Sequence, residues 1–244
     1  MSIKTVLVLG SKPSSQLPDI IVDEIFSANG AAERARIYRE KYKNIKLTSI
    51  VGAKEFLKND LVKNFIIGSN PNNVIIRTGQ VYGEKYFDKN CKTIHLSWSE
   101  QFKIQKIFFK YSSFSIILAE LVHWNLTSRD PKFHRKILHL MRSIKNNQFW
   151  GISTGFFSIL YALYKYPHSK IIVSGIGLSG GKQFYKSERS KIFDYFPRAS
   201  VDRYLVKHLK SFAKSNLFSL DEDFIKNTNC SKWEGPVLKE KESC

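Results

Sequence analysis

Short, continuous apolar runs alternate along this chain with longer segments in which apolar residues recur at helical spacing. A continuous apolar run indicates a strand that is buried on both faces, as in the middle of a parallel sheet. Strands and helices that follow one another in turn are typical of α/β proteins. The pattern therefore predicts a Rossmann-like, doubly wound, mostly parallel sheet in a single domain with a helical insertion.

The hydrophobic pattern also predicts where each element lies. The predicted strands are Thr5–Leu9, Asp19–Phe26, Leu47–Val51, Asn73–Thr78, Thr93–Leu96, Lys170–Ser174 and Leu217–Leu220. The predicted helices are Ala31–Lys43, Ala53–Phe65, Phe156–Leu163 and Val201–Ala213. We expect an α/β domain over residues 1–220, a basic and aromatic helical insertion over about 99–147, and a polar peripheral tail over 221–244.

The stretch from Phe149 to Leu178 holds a polar turn, an apolar helix, and a buried strand that ends at Gly175. The turn is Ser153-Thr154-Gly155, and Ser and Thr are good N-caps. The unpaired N–H groups of a helix's first turn attract anions, and glycine allows a ligand to approach the backbone. The turn is either a cradle for a phosphate or carboxylate or the cap of an ordinary core helix.

A second candidate site follows the first predicted strand. Gly10-Ser11-Lys12-Pro13-Ser14 lies at that strand's carboxyl end, where open α/β sheets bind ligands. The segment fits neither the GxxxxGK[ST] loop nor the GxGxxG fingerprint. It is either a phosphate or nucleotide site or a plain turn.

The charge of the chain limits the classes of partner that it is expected to bind. A net charge of +18 indicates an anionic partner, such as nucleic acid, a membrane surface, or a phosphorylated or acidic-sugar substrate. The three cysteines, Cys91, Cys230 and Cys244, are far apart and fit neither a disulfide framework nor a zinc site, so we expect a reducing cytoplasm. The first ten residues read as a strand rather than a signal peptide, and no run approaches the roughly 20 apolar residues of a membrane span.

Three segments together resemble the sialyltransferase superfamily, particularly bacterial enzymes that use CMP-activated acidic sugars. VLVLGSKPS is similar to the family's opening strand and turn, and VDEIFSANG to its strand that ends in a nucleotide-contacting asparagine. ISTGFFSILYAL followed by KIIVSGIGL is similar to the family's sialyl motif. The three segments occur in the family's order and are spread over most of the chain.

The resemblance implies a Rossmann-like glycosyltransferase that needs no metal and no cofactor besides its sugar-nucleotide substrate. It implies that Tyr185 contacts the leaving phosphate and that the three turns bind the donor. The expected donor-binding residues are Gly10, Ser11, Lys12, Pro13, Ser14, Asn29, Ser153, Thr154, Gly155, Gly175 and Tyr185.

The catalytic base departs from the family's pattern. The family has a histidine shortly before its last amphipathic helix, but residues 197–201 contain none. Asp202 and His208 are the candidate catalytic residues, six positions apart and not on one helical face. Each also has a structural interpretation, Asp202 as a charge at a helix N-terminus and His208 as a half-buried helix residue.

These observations lead to one main functional hypothesis. It is a glycosyltransferase that moves sialic acid or a Kdo-like sugar from a CMP-linked donor to a surface glycan or glycolipid, as in lipopolysaccharide biosynthesis. We expect it in the cytoplasm, peripherally on the inner face of the anionic cytoplasmic membrane. The alternatives are a basic nucleic-acid-binding protein, although no RNA- or DNA-binding signature is present, and a catalytically degenerate nucleotide-binding protein.

Overall fold

A computed structural model describes residues 4–13, 15–110, 152–178, 183–184 and 197–238. Its centre is one eight-stranded sheet in which every neighbouring pair of strands is parallel. The strands are β1 Thr5–Leu9, β2 Glu24–Ala28, β3 Lys46–Gly52, β4 Asn73–Arg77, β5 Lys92–Leu96, β6 Lys170–Ser174, β7 Leu217–Ser219 and β8 Ser231–Lys232. The predicted Rossmann-like α/β fold is confirmed.

Helices cover both faces of this sheet. They are α1 Ala32–Lys41, α2 Ala53–Lys58, α3 Asp60–Gly68, α4 Trp98–Phe108, α5 Thr154–Lys165, α6 Pro197–Val206, α7 Ser211–Ser215 and α8 Glu222–Thr228. In β1, Val6 and Val8 join the core beneath α5, whereas Leu7 and Leu9 join the core beneath α1. Side chains alternate across a strand, so β1 is apolar throughout because both of its faces are buried.

The strand order places a reversal at the centre of the sheet. The order is β5-β4-β3-β2-β1-β6-β7-β8, so the chain builds outward from β1 to one edge and then returns to β1's other side. The connections diverge between β1 and β6, and we call the region at the carboxyl ends of these two strands the crevice. Open α/β sheets bind ligands at such a switch point.

Two predicted helices are each divided in the structure. The helix expected over 53–65 is interrupted at Asn59, whose side chain accepts a hydrogen bond from the Val62 N–H and so begins α3. The helix expected over 201–213 ends at Val206, because Leu209 forms an antiparallel bridge with Phe109. Both divisions come from contacts that the apolar spacing does not encode.

Two predicted boundaries are also wrong. β2 begins at Glu24 rather than Asp19: the ladder with β1 starts at Glu24 opposite Val6, and just before it the Asp23 carboxylate accepts the Thr5 N–H at 2.8 Å. The tail expected from Asp221 is not uniformly peripheral. It forms α8, in which Phe224 is fully buried, and β8 at the sheet edge.

The predicted helical insertion is described only at its beginning. α4 starts with a capping box between Ser97 and Glu100, in which each side chain bonds the other residue's backbone. Residues 111–151 lie outside the described part of the chain. Among the described helices, none is long and apolar enough to cross a bilayer.

Candidate functional site

Two glycines meet at the switch point between β1 and β6. The Gly10 N–H donates to the Ser174 carbonyl at 2.8 Å, and the Lys12 N–H donates to the Gly175 carbonyl at 2.9 Å. A Cβ on Gly10 would lie 2.1 Å from the Gly175 oxygen, and Gly175 has φ +76°. Both positions require glycine because the two loops touch through their backbones. The predicted residues therefore form the floor of the crevice.

Asp221 binds both of these loops, and the sequence analysis did not identify it as a site residue. Its Oδ2 accepts the Gly175 N–H at 2.6 Å, and its Oδ1 lies 3.9 Å from Lys12 Nζ. Burial raises the pKa of the Asp221 carboxyl, although the Gly175 N–H and the Lys12 ammonium oppose that rise. The available signal was its position, directly after the carboxyl end of a predicted strand.

Lys12 and Arg34 bring positive charge to the crevice. The Lys12 side chain is 36% exposed, while neighbouring Ser11 is buried and Pro13 is exposed. Arg34, on the first turn of α1, donates to both the hydroxyl and the carbonyl of Ser15. Its guanidinium reaches the switch point, since a Cβ on Gly175 would lie 3.0 Å from Arg34 Nη1. Such a pair of cations suits an anionic ligand.

Asn29 lies at the carboxyl end of β2, the strand beside β1. It opens a 3-10 turn, Asn29–Ala31, with the left-handed φ of 51° that asparagine tolerates better than most residues. Its Oδ1 is buried and has no hydrogen-bond partner among the described residues. α1 follows at once, and no described side chain caps its N-terminus. A buried acceptor and a helix N-terminus thus lie where the resemblance implies a nucleotide.

The N-terminus of α5 is arranged differently from the predicted anion cradle. Ser153 caps the helix by accepting the Phe156 N–H at 3.0 Å, and Asp202 Oδ1 accepts the Ser153 N–H at 3.0 Å. Asp202 is only 1% exposed. The protein's own carboxylate therefore already lies at the positive end of this helix. A Cβ on Gly155 would meet Ile176 at an ordinary 3.5 Å, so close backbone approach does not require that glycine.

Arg77 is a second residue that sequence reasoning missed. It ends β4 and is buried, with Nε donating to Gln101 Oε1 at 2.9 Å and Nη1 donating to the Thr154 hydroxyl at 3.3 Å. Its guanidinium also lies 4.4 Å from the centre of the Phe157 ring. An arginine at the end of an apolar strand was the available signal. Arg77 ties β4, α4 and α5 together.

The structure does not bring the two candidate bases together. Asp202 lies beside the N-terminus of α5, whereas His208 follows the end of α6. The His208 ring lies 5.0 Å from the Tyr204 ring, and its carbonyl accepts the Lys110 N–H. Neither candidate joins Lys12 and Asn29 in the crevice through a described contact.

The remaining predicted residues concern the loop after β6. Phe184 donates its N–H to the Ser11 carbonyl at 3.1 Å and stacks near Phe65 of α3. This contact brings Phe184 against the turn that follows β1. Ser14 and Tyr185 themselves lie outside the described residues.

The described side chains offer anion ligands rather than a cluster of metal ligands. Within residues 4–110 and the later described ranges, no group of three or more His, Cys, Asp and Glu side chains is placed to hold a metal ion. The expected metal-independent chemistry stays a prediction.

Comparisons with known proteins leave the family open. No protein-family model, no curated protein and no solved structure matches this chain. The sialyltransferase resemblance therefore stays a resemblance, and a functional conclusion depends on the crevice between β1 and β6.

Proposed function

We propose that the crevice between β1 and β6 binds the CMP portion of an activated acidic sugar and that the protein transfers this sugar to a glycan or glycolipid. One observation carries the proposal. The sheet reverses its winding beside Lys12 and Arg34, and the next strand, β2, ends at Asn29, whose buried carboxamide oxygen has no hydrogen-bond partner among the described residues. Ligands of open α/β sheets bind at this position.

The chemistry of these groups suits a nucleotide monoester or diester. We assign the phosphate to Lys12, Arg34 and the N-terminus of α1, since cations and helix N–H groups both favour anions. We assign a nucleoside N–H or O–H donor to Asn29 Oδ1, which lacks a donor among the described residues. A buried polar atom is stabilised when a ligand supplies its missing hydrogen bond.

The proposed transfer needs two functions from the protein. As the sugar departs, negative charge develops on the CMP phosphate, and Lys12 can stabilise it there. A base must also take the proton of the acceptor hydroxyl, and a positioned base raises the reaction rate about 10²–10⁴-fold. Asp202 is the candidate, since its Oδ1 accepts the Ser153 N–H and a carboxylate can accept further hydrogen bonds. The order of the three family-like segments supports the choice of donor.

The same observation favours a second candidate function, a nucleotide-binding protein without transferase activity. Asp202 is buried and hydrogen-bonded, and His208 contacts Tyr204, Leu205 and Lys110. Both candidate functions require the crevice to bind CMP. They differ only in whether bound CMP-sugar turns over.

A ligand screen tests the shared part of both functions. We expect CMP at ten times its Kd to raise the Tm by about 3–6 °C, because a ligand selective for the native state stabilises it. Lys12→Ala should abolish most of that shift. Lys46→Ala is the matched control, since Lys46 is an exposed lysine at the opposite, amino end of β3. A shift with NAD but not with CMP would contradict the proposal.

A transfer assay separates the two candidates. CMP release from CMP-sialic acid or CMP-Kdo in the presence of lipooligosaccharide acceptors supports the transferase. CMP binding without CMP release from either donor supports the nucleotide-binding alternative.

A further inference from the structure

A basic and apolar surface lies apart from the crevice, at the junction of α4 with the segment before α7. We call it the α4–α7 face and define it by Lys106, Ile107, Lys110, Lys210 and Phe212. Backbone contacts hold it together. Phe109 and Leu209 form an antiparallel bridge, and the Lys210 N–H donates to the Phe108 carbonyl at 2.9 Å.

The charge of this face has one sign. Residues 101–110 contain three lysines and residues 203–220 contain four Lys or Arg, while neither segment contains Asp or Glu. Lys106, Lys110 and the neighbouring Lys103 are exposed. Arg203 differs, since it donates to the Leu178 carbonyl at 2.7 Å. The two segments that form this face thus carry seven basic residues and no carboxylate.

Two large apolar side chains project among these lysines. Ile107 is 41% exposed and Phe212 is 49% exposed. Both are firmly positioned: the Phe212 ring lies 5.9 Å from the Phe108 ring, and Lys210 Nζ donates to the Ile107 carbonyl at 2.7 Å. Two of the ammonium groups lie over aromatic rings: Lys106 Nζ is 4.6 Å from the centre of the Phe102 ring, and Lys210 Nζ is 6.0 Å from the centre of the Phe212 ring.

We propose that the α4–α7 face docks on an anionic lipid bilayer, with Ile107 and Phe212 entering the interface and the lysines contacting lipid phosphates. Charge complementarity selects an anionic partner. The exposed aliphatic and phenyl groups favour lipid over nucleic acid, because burial in the interface stabilises them. Lysine suits this position because its stem remains apolar while its ammonium reaches the headgroups. The inference does not depend on CMP binding or on sugar transfer.

A vesicle co-sedimentation experiment on the full chain tests the proposal. The vesicles are pure phosphatidylcholine and a 7:3 mixture of phosphatidylcholine and phosphatidylglycerol. We expect binding to the anionic vesicles only, with a steep loss as salt rises. The triple variant Lys106→Gln, Lys110→Gln, Lys210→Gln should weaken binding about 100-fold, since each lysine contributes about fivefold.

A matched control separates a docking face from overall charge. Lys46→Gln, Lys54→Gln, Lys58→Gln removes the same three charges at exposed positions elsewhere on the fold and should change binding little. Ile107→Ser with Phe212→Ser should weaken binding while leaving the salt dependence, because it removes only apolar contacts. Unchanged Tm values would show that each variant is folded.

Three outcomes would overturn the proposal. The first is an equal loss of vesicle binding in the two triple-lysine variants. The second is equal binding to neutral and anionic vesicles. The third is duplex DNA binding that is tighter than vesicle binding and is lost with the same three lysines, which would assign the face to nucleic acid.

Discussion

Asp202 accepts the Ser153 backbone N–H at 3.0 Å and thereby joins parts of the chain that lie 49 residues apart. The carboxylate is buried and lies at the N-terminus of α5, where the helix dipole stabilises a negative charge. The aspartate that the sequence suggests as a catalytic base therefore has a structural partner. The two roles predict different consequences for its substitution.

We expect Asp202→Ala to lower the free energy of unfolding by about 1–3 kcal/mol, because it leaves the partly buried Ser153 N–H without its acceptor. Asp202→Asn keeps an acceptor oxygen and should cost less. Urea denaturation of both variants measures the difference. If Asp202 is also the base, Asp202→Asn should lose about 10²–10⁴-fold in turnover while His208→Ala retains it. Equal stabilities for Asp202→Ala and the unmodified protein would contradict the structural role.

The contact between the two glycines predicts a second result. Gly10→Ala should destabilise the protein by about 3 kcal/mol, since its Cβ would lie 2.1 Å from a backbone oxygen that cannot move independently. Gly155→Ala is the control, because its Cβ would meet Ile176 at 3.5 Å. That change should be neutral or stabilising by up to about 1 kcal/mol in a helix. Thermal and urea unfolding of the pair would show whether the two effects differ.

Much of the fold could be predicted because its signals are local. The apolar runs of β1 and β6 and the serine that begins α5 are each recognisable within a few residues. The roles of Arg77 and Asp221 could not be predicted, because each role depends on a hydrogen-bond partner that is distant in sequence. For the same reason, the hydrogen bond from the Ser153 N–H to Asp202 Oδ1 could not be predicted, since the two residues lie 49 positions apart.

Asp221 should make stability depend on pH. Burial raises its pKa, so the folded state favours the protonated carboxyl. That contribution is complete below the unfolded pKa of about 3.9 and is lost as pH rises through the higher folded value. We expect Asp221→Asn to gain stability relative to the unmodified protein as pH increases over this window. Urea midpoints of both proteins from pH 3 to 8 measure the difference in their stability. A difference that does not change with pH would refute the raised pKa of Asp221.

Substitution of Arg77 should change the stability of the protein, whereas substitution of Lys12 should change its affinity for CMP. Arg77→Gln should lower the free energy of unfolding by about 2–4 kcal/mol, because Gln101, Thr154 and the Ile152 carbonyl lose a buried donor. Lys12→Ala should leave stability nearly unchanged, as its pairing with Asp221 spans 3.9 Å, but should weaken CMP binding about tenfold. Denaturation and calorimetric titration of both variants test the separation. The reverse pattern would place the ligand at Arg77 instead.

The pairing of β1 with β6 has a consequence for how the protein is made. Thr5 lies opposite Lys170, so β1 leaves the ribosome long before its second neighbour, β6, has been synthesised. At about 5–20 residues per second, β1 spends many seconds with one edge open. Until β6 has been synthesised, Gly175 cannot pack against Gly10, and the crevice cannot form. A nascent or truncated chain that ends before residue 170 lacks β6, β7 and β8. We expect such a chain to aggregate through the open edge of β1 and to bind no nucleotide.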